Sequence, residues 1–155
     1  MEKMPITADG LEKLKEELRY LQKTEKPNNI KAIAEARAHG DLSENAEYHA
    51  AKEKQGFIAA KINELESAIG HAEVIDVNEG PMDRVVFGRT ILLYDVQADK
   101  EITYQLVGPY ESDPENGRIS IKSPLGQGLI GREIGDEVKI KIPRGVQEFE
   151  VLEIK

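Results

Sequence analysis

Two runs of apolar residues mirror each other about a point between Asp41 and Leu42. Upstream, Leu11, Leu14, Leu18 and Leu21 are spaced 3-4-3; downstream, Ile58, Ile62, Leu65, Ile69 and Ala72 are spaced 4-3-4-3. Both carry the repeat of a coiled-coil seam. Helices rise equally per residue, so if the two runs fold back on each other, facing positions have numbers with a constant total. Leu11 with Ala72, Leu14 with Ile69, Leu18 with Leu65, and Leu21 with Ile62 all total 83. The pattern predicts an antiparallel helical hairpin with His39–Glu44 as its tip and arms on the order of 45 Å long at ~1.5 Å per residue. An arm of that length is a reach, not a small globule.

Thr7, Asp9 and Gly10 offer caps for the first arm, and Glu12, Glu16 and Glu17 suit the positive end of its dipole. Pro27-Asn28-Asn29 interrupts the pattern, which predicts a kink or short break, after which Ile30, Ile33, Ala34 and Ala36 resume the seam. Ile33 would then face Ala50, and Arg37 would face Ala46, with alanine allowing close approach near the tip. Gly40 can end the first arm in a left-handed conformation, and Asp41 or Ser43 can cap the second.

From Val74 the period changes from helical to alternating, and Asn78-Glu79-Gly80-Pro81 reads as a linker. Residues 1–75 are expected to form the hairpin domain and 76–155 a second one. Val85–Val96, Ile102–Val107, Arg118–Lys122, Glu137–Ile142 and Gln147–Ile154 are candidate strands, Asn116-Gly117 and Arg144-Gly145 mark turns, and Ser123-Pro124 can start a short helix through Ile130. The fold class is α+β: a coiled-coil hairpin, then a small, mostly antiparallel sheet with one helix.

Composition narrows the function. The 155 residues carry a net charge of −8, with 11 basic and 14 acidic side chains in residues 1–75 and 10 and 15 in the rest, so neither half is a basic coat for free nucleic acid. Contact with nucleic acid would have to be local or made through a protein partner. Cysteine is absent, which removes disulfides, thiolate chemistry and Cys-based zinc sites and fits a reducing cytosol. Nothing resembles a signal peptide or a bilayer-spanning run, so a soluble, cytoplasmic protein with no membrane partner is expected. No Gly-rich phosphate loop, Ser-His-Asp arrangement or zinc motif is present, which argues against a self-contained enzyme.

Asp41 and Glu44 form the one carboxylate pair at a distinctive point of the architecture. Asp-x-x-Glu at a helix start is also a capping-box-like pattern, and the two roles can coexist because each carboxylate has lone pairs to spare. Two carboxylates cannot by themselves hold Mg²⁺, which takes ~6 oxygens and keeps waters and substrate phosphates where protein ligands are few. An acidic pair at the end of a long arm looks like half of a metal site whose other half belongs to a deep partner. His39 could move protons, and Arg37, Lys52 and Lys54 could touch a phosphate backbone or balance Glu35, Glu47 and Glu53 as solvated pairs.

The run from Ala32 to Ala51, through His39-Gly40-Asp41-Leu42-Ser43-Glu44-Asn45-Ala46-Glu47-Tyr48, resembles the tip signature of the bacterial transcript cleavage factors, the GreA/GreB family. The similarity continues in Gln55-Gly56-Phe57, Ala72–Asp76, Ser123-Pro124-Leu125-Gly126, Gly128–Gly131 and Gly135-Asp136, and its details are closer to the GreA branch. That resemblance implies an arm that enters the secondary channel of bacterial RNA polymerase and an FKBP-like second domain that docks at the channel rim, with Ser123, Pro124 and Leu125 as docking candidates. It maps the family's tip acids onto Asp41 and Glu44, which would share a Mg²⁺ ion with the polymerase active site while the polymerase cuts its own backtracked RNA at the 3′ end. It maps the basic patch beside the tip onto Arg37 and Lys52, candidates for RNA contact. Ser43 stands where close relatives often have lysine, so a contact from that position is not implied. The chain is expected to act as a monomer, and no Mg²⁺ is expected in the isolated protein.

Three other readings fit parts of the sequence. A channel-binding regulator that does not promote cleavage would need the hairpin but not an acidic tip. A prolyl isomerase is implied by the FKBP-like half alone, yet that half has no Trp and, past its first strand, only Phe149 to line a proline pocket. A purely structural coiled coil explains the seam but not the Gly-turned acidic tip.

Overall fold

A computed structural model of the chain describes residues 3–40, 44–77 and 80–155. Contacts divide it into two compact units, residues 11–71 and the described part of 1–10 together with 72–155.

The helical unit is built from α1 (Ala8–Tyr20), a π-helical turn (Leu21–Glu25), α2 (Lys26–Ala38) and α3 (Ala46–His71). At ~1.5 Å per residue, α3 is about 39 Å long. Contacts between the arms pair rising numbers with falling ones, as an antiparallel hairpin requires: Glu17 with Lys61 at 3.9 Å, Glu25 with Lys54 at 3.3 Å, and the Asn29 side-chain amide donating to the Ala51 carbonyl at 3.0 Å. Leu14, Ile33, Ala36, Ile58, Leu65 and Ala68 are the buried seam. Tyr20 also donates its hydroxyl to Glu25 at 3.0 Å. That bond, and then Lys54, hold the Glu25 carboxyl below its ordinary range.

The interruption expected at Pro27 takes a particular form. Proline has no N–H to give and its ring crowds the carbonyl four residues back; the chain widens ahead of it into the π turn, where the Lys26 N–H reaches the Leu21 carbonyl. A π turn takes in about one extra residue, which rotates the following helix by one position. Asn29 is consequently buried, at 4 % exposure, while Ile30, expected in the seam, is 53 % exposed. Leu65, 3 % exposed, is the long aliphatic anchor of α3. Leu65→Ala is expected to lower the unit's stability by about 2–3 kcal/mol through lost burial and a cavity, whereas Phe57→Ser, at a position 68 % exposed, should change it by less than about 0.5 kcal/mol; urea unfolding followed by helical signal measures both.

The second unit holds two sheets. β1 (Met4–Ile6) and β2 (Ala72–Val74) run parallel, Met4 opposite Ala72, as a two-stranded ribbon. Five further strands, β3 (Thr90–Asp95), β4 (Lys100–Val107), β5 (Arg118–Ser120), β6 (Glu137–Ile142) and β7 (Gly145–Ile154), form a sheet in the order β5-β4-β3-β7-β6. All its neighbours are antiparallel except β4 and β5. The expected first strand begins five residues late: Val85 donates its N–H to the Arg132 carbonyl and Gly88, at φ +86°, turns the chain before Thr90. The alternation seen in Val138, Lys139, Ile140 and Lys141 is the inward and outward face of β6. The core gathers Val85, Ile91, Leu93, Leu106, Val138 and Val151 under α4 (Pro124–Leu129), whose Leu129 is fully buried.

Glu111, in a 3₁₀ turn after β4, ties β1's exit to this sheet. Its buried carboxylate accepts from the Thr7 N–H at 3.1 Å, the Thr7 hydroxyl and the Gly108 N–H at 2.9 Å, and pairs with Arg118 at 3.3 Å. The packing leaves no room for a Cβ at Gly10, which would run into that carboxylate, or at Gly108, which would run into the Pro5 carbonyl.

Candidate functional site

The tip closes α2 with His39, whose N–H donates to the Ala36 carbonyl at 3.2 Å, and with Gly40, at φ +121°. A side chain at that φ is strained, which is why glycine stands there. Asp41, Leu42 and Ser43 lie outside the described residues. The chain returns at Glu44, which is exposed, and Asn45.

Asn45 caps α3: its side-chain oxygen accepts the Tyr48 N–H at 3.0 Å, and the helix begins at Ala46; the caps expected at Asp41 or Ser43 lie outside the described residues. The cap is therefore four residues past Asp41, and Glu44 precedes it instead of occupying the third helical position that a capping box needs. Among the described residues, the Glu44 carboxylate is not tied to the start of the helix.

Glu44 opens, with His39, Asn45, Ala46 and Glu47, onto a cavity of about 450 Å³. On the facing arm the Arg37 guanidinium lies 5.8 Å from the centre of the Tyr48 ring, a cation–π distance, and the Tyr48 ring meets His49 edge-on at 5.7 Å. Arg37 is thereby held at the level of the tip. Lys52 is not drawn into the same space: its ammonium donates to Gln55 at 2.9 Å and it lines a second cavity, of about 570 Å³, with Lys26 and Asn29. Lys54 is engaged by Glu25 across the arms. Among the described residues, no three of His, Cys, Asp and Glu stand together as metal ligands.

In the sheet unit, the Ser123 hydroxyl is used by the fold, accepting the Gly126 N–H at 3.0 Å as the cap of α4 and donating to the Ser120 carbonyl at 2.6 Å. Leu125 packs against the core, and Pro124 alone of the three docking candidates is exposed. Exposed apolar side chains on this unit also include Ile130 and Ile134, at 43 % and 58 %. No helix among the described residues is long and apolar enough to cross a membrane.

The residue pattern gives Asn45 no role of its own and places Tyr48 only as a position along the second arm. An Asn three positions before a helix residue is a legible cap, but its bond to the facing arm has no signature in the local sequence.

The N-terminal domain family of transcription elongation factors matches residues 4–74, and the C-terminal domain family of GreA/GreB transcription elongation factors matches residues 80–155. The chain is similar to the transcription elongation factor GreA of Brucella anthropi, 52 % identical over 155 residues, covering 100 % of this chain and 99 % of that protein. GreA of Brucella canis is also 52 % identical over the same span. A solved structure of GreA factor homolog 1 from Thermus thermophilus aligns over 99 % of both chains at 26 % identity, with a TM-score of 0.45. Matched over both of its parts, the chain belongs to the GreA/GreB family of transcription elongation factors.

Proposed function

We propose that this elongation factor inserts its helical hairpin into the secondary channel of bacterial RNA polymerase and stimulates the polymerase's own Mg²⁺-dependent cleavage of backtracked RNA. The observation that carries the reading is the exposure of Glu44: Asn45 caps α3, and Glu44 beside it stays open to a cavity instead of being used by the helix start. Asp41 belongs to the same tip by sequence and would act with it.

The donor set fits a shared metal and not a private one. Mg²⁺ takes ~6 oxygens and tolerates waters and phosphates as most of them; the two carboxylates Asp41 and Glu44 can supply only part of such a shell. In a two-metal site the ions activate the attacking water and stabilise the leaving oxygen. The part of this chain is to present Asp41 and Glu44 to a Mg²⁺ held jointly with the polymerase, and to place Arg37 beside the extruded RNA. Lys52, one cavity away, would contact RNA further from the cut. The protein is then not itself an enzyme. The sheet unit would dock on the polymerase through the surface around Pro124, with Ser123 and Leu125 shaping its backbone and floor.

The test is addition of the protein to a deliberately backtracked polymerase complex carrying 3′-labelled RNA, with Mg²⁺ at neutral pH. Release of short labelled 3′ fragments is the expected result. A protein that binds the complex and releases none would sink this reading in favour of a factor that occupies the channel without promoting cleavage.

A further inference from the structure

One side chain beside the tip touches both arms. Asn45 accepts the Tyr48 N–H of α3 through its oxygen at 3.0 Å, and through its nitrogen donates to the Ala36 carbonyl of α2 at 2.6 Å. Ala36 is in the last turn of α2, where carbonyls lack helical partners, and it is buried at 2 % exposure. The same carbonyl accepts the His39 N–H that starts the tip turn. Asn45 thus joins the beginning of one helix to the end of the other, one residue from Glu44.

Asparagine suits both contacts in a way other capping residues do not. Serine and aspartate cap equally well, but a carboxylate has no donor and a serine hydroxyl is too short to cap one helix and reach the other. If capping were the whole role, the three would be interchangeable. Asn29 makes the analogous contact further down the arm, its amide donating to the Ala51 carbonyl from a buried seam position. Together the two amides set the axial register of α2 against α3 where alanines leave the backbones close.

We infer that Asn45 is a positioning residue for stimulated cleavage: its two-armed amide bridge holds Glu44 where the shared metal can use it. The inference rests on the function proposed above.

Asn45→Ser separates the bridge from the cap. Helical content should stay near that of the native chain, the midpoint of urea unfolding should fall only by the worth of one hydrogen bond, and the concentration giving half-maximal binding to the backtracked complex should stay within about twofold. Maximal cleavage should fall about three- to tenfold, the worth of roughly one hydrogen bond, and the Mg²⁺ concentration for half-maximal cleavage should rise by a similar factor. A merely structural role would not move that Mg²⁺ dependence. Cleavage by Asn45→Ser with the native rate and native Mg²⁺ dependence overturns the inference, as does loss of binding in parallel with loss of cleavage. Glu44→Gln run alongside tells the two failures apart. If it is inactive while Asn45→Ser behaves as native, only the bridge is wrong; if Glu44→Gln cleaves as the native protein does, the proposed function and this inference fall together.

Discussion

Asp41→Asn is expected to bind a backtracked polymerase complex as the native chain does and to release 3′ RNA fragments on the order of 100-fold more slowly, the size of loss seen when one preorganised electrostatic contact to a developing charge is removed. Asparagine keeps the size and one carbonyl oxygen of aspartate but drops the charge that a hard cation prefers. Binding should survive because, in the function proposed, the arms and the sheet unit carry the contact area with the polymerase, and because α3 has a cap in Asn45. Weaker metal recruitment also predicts that raising Mg²⁺ restores part of the rate. Equal cleavage by the two proteins over a Mg²⁺ titration would show that the Asp41 carboxylate takes no part; loss of binding would return it to a structural role.

The cap at Asn45 could not be read in advance. Asp41-Leu42-Ser43-Glu44 offers two plausible caps, and local preference does not choose between them and Asn45. What decides is where α3 can begin once its neighbour has ended, a tertiary matter. The seam was legible for the opposite reason: Leu14, Ile58 and Leu65 are long aliphatics at heptad spacing, and burying them governs everything else in a hairpin. The phase beyond Pro27 was not, because the π turn is a backbone adjustment that leaves no mark in residue type; it put Asn29 inside and Ile30 outside. In the sheet unit, the alternation in β6 announced itself, while β1 and β2 did not. Three residues are too few to show a period, and their partners lie 68 positions apart, Met4 against Ala72. Of the site, Arg37 and Glu44 were named from the chain and stand at the tip, whereas Lys52 faces a different cavity. Asp41 lies outside the described residues.

The least legible feature is also the one whose loss should destabilise the protein most. Glu111, in Pro-Tyr-Glu after a strand, reads as a surface carboxylate, yet its side chain is 2 % exposed. Glu111→Ala is expected to cost about 3–5 kcal/mol, the range for removing one member of a buried, hydrogen-bonded ion pair. Three donors, the Thr7 N–H, the Thr7 hydroxyl and the Gly108 N–H, would lose their acceptor, and Arg118 would keep a partly buried charge with no counterion from this pair. The damage would fall first on β1, since Thr7 immediately follows it. Two further variants separate the contributions. Thr7→Val removes only the hydroxyl and should cost about 1 kcal/mol. Glu111→Gln keeps the volume but must turn an NH₂ toward at least one existing donor, so it should fall between Thr7→Val and Glu111→Ala. Urea unfolding of the whole chain, with hydrogen exchange at Thr7 and Ile75 as the local readout, measures the series. Ile75 reports on the ribbon because its N–H donates to the Ile6 carbonyl at 3.0 Å. If Glu111→Ala unfolds within about 1 kcal/mol of the native chain, the carboxylate is replaceable by water and the cluster does not hold β1 in place. If it shows the full loss and Arg118→Met shows little, the backbone and hydroxyl donors of Thr7 and Gly108, more than the charge pair, are what require a carboxylate there.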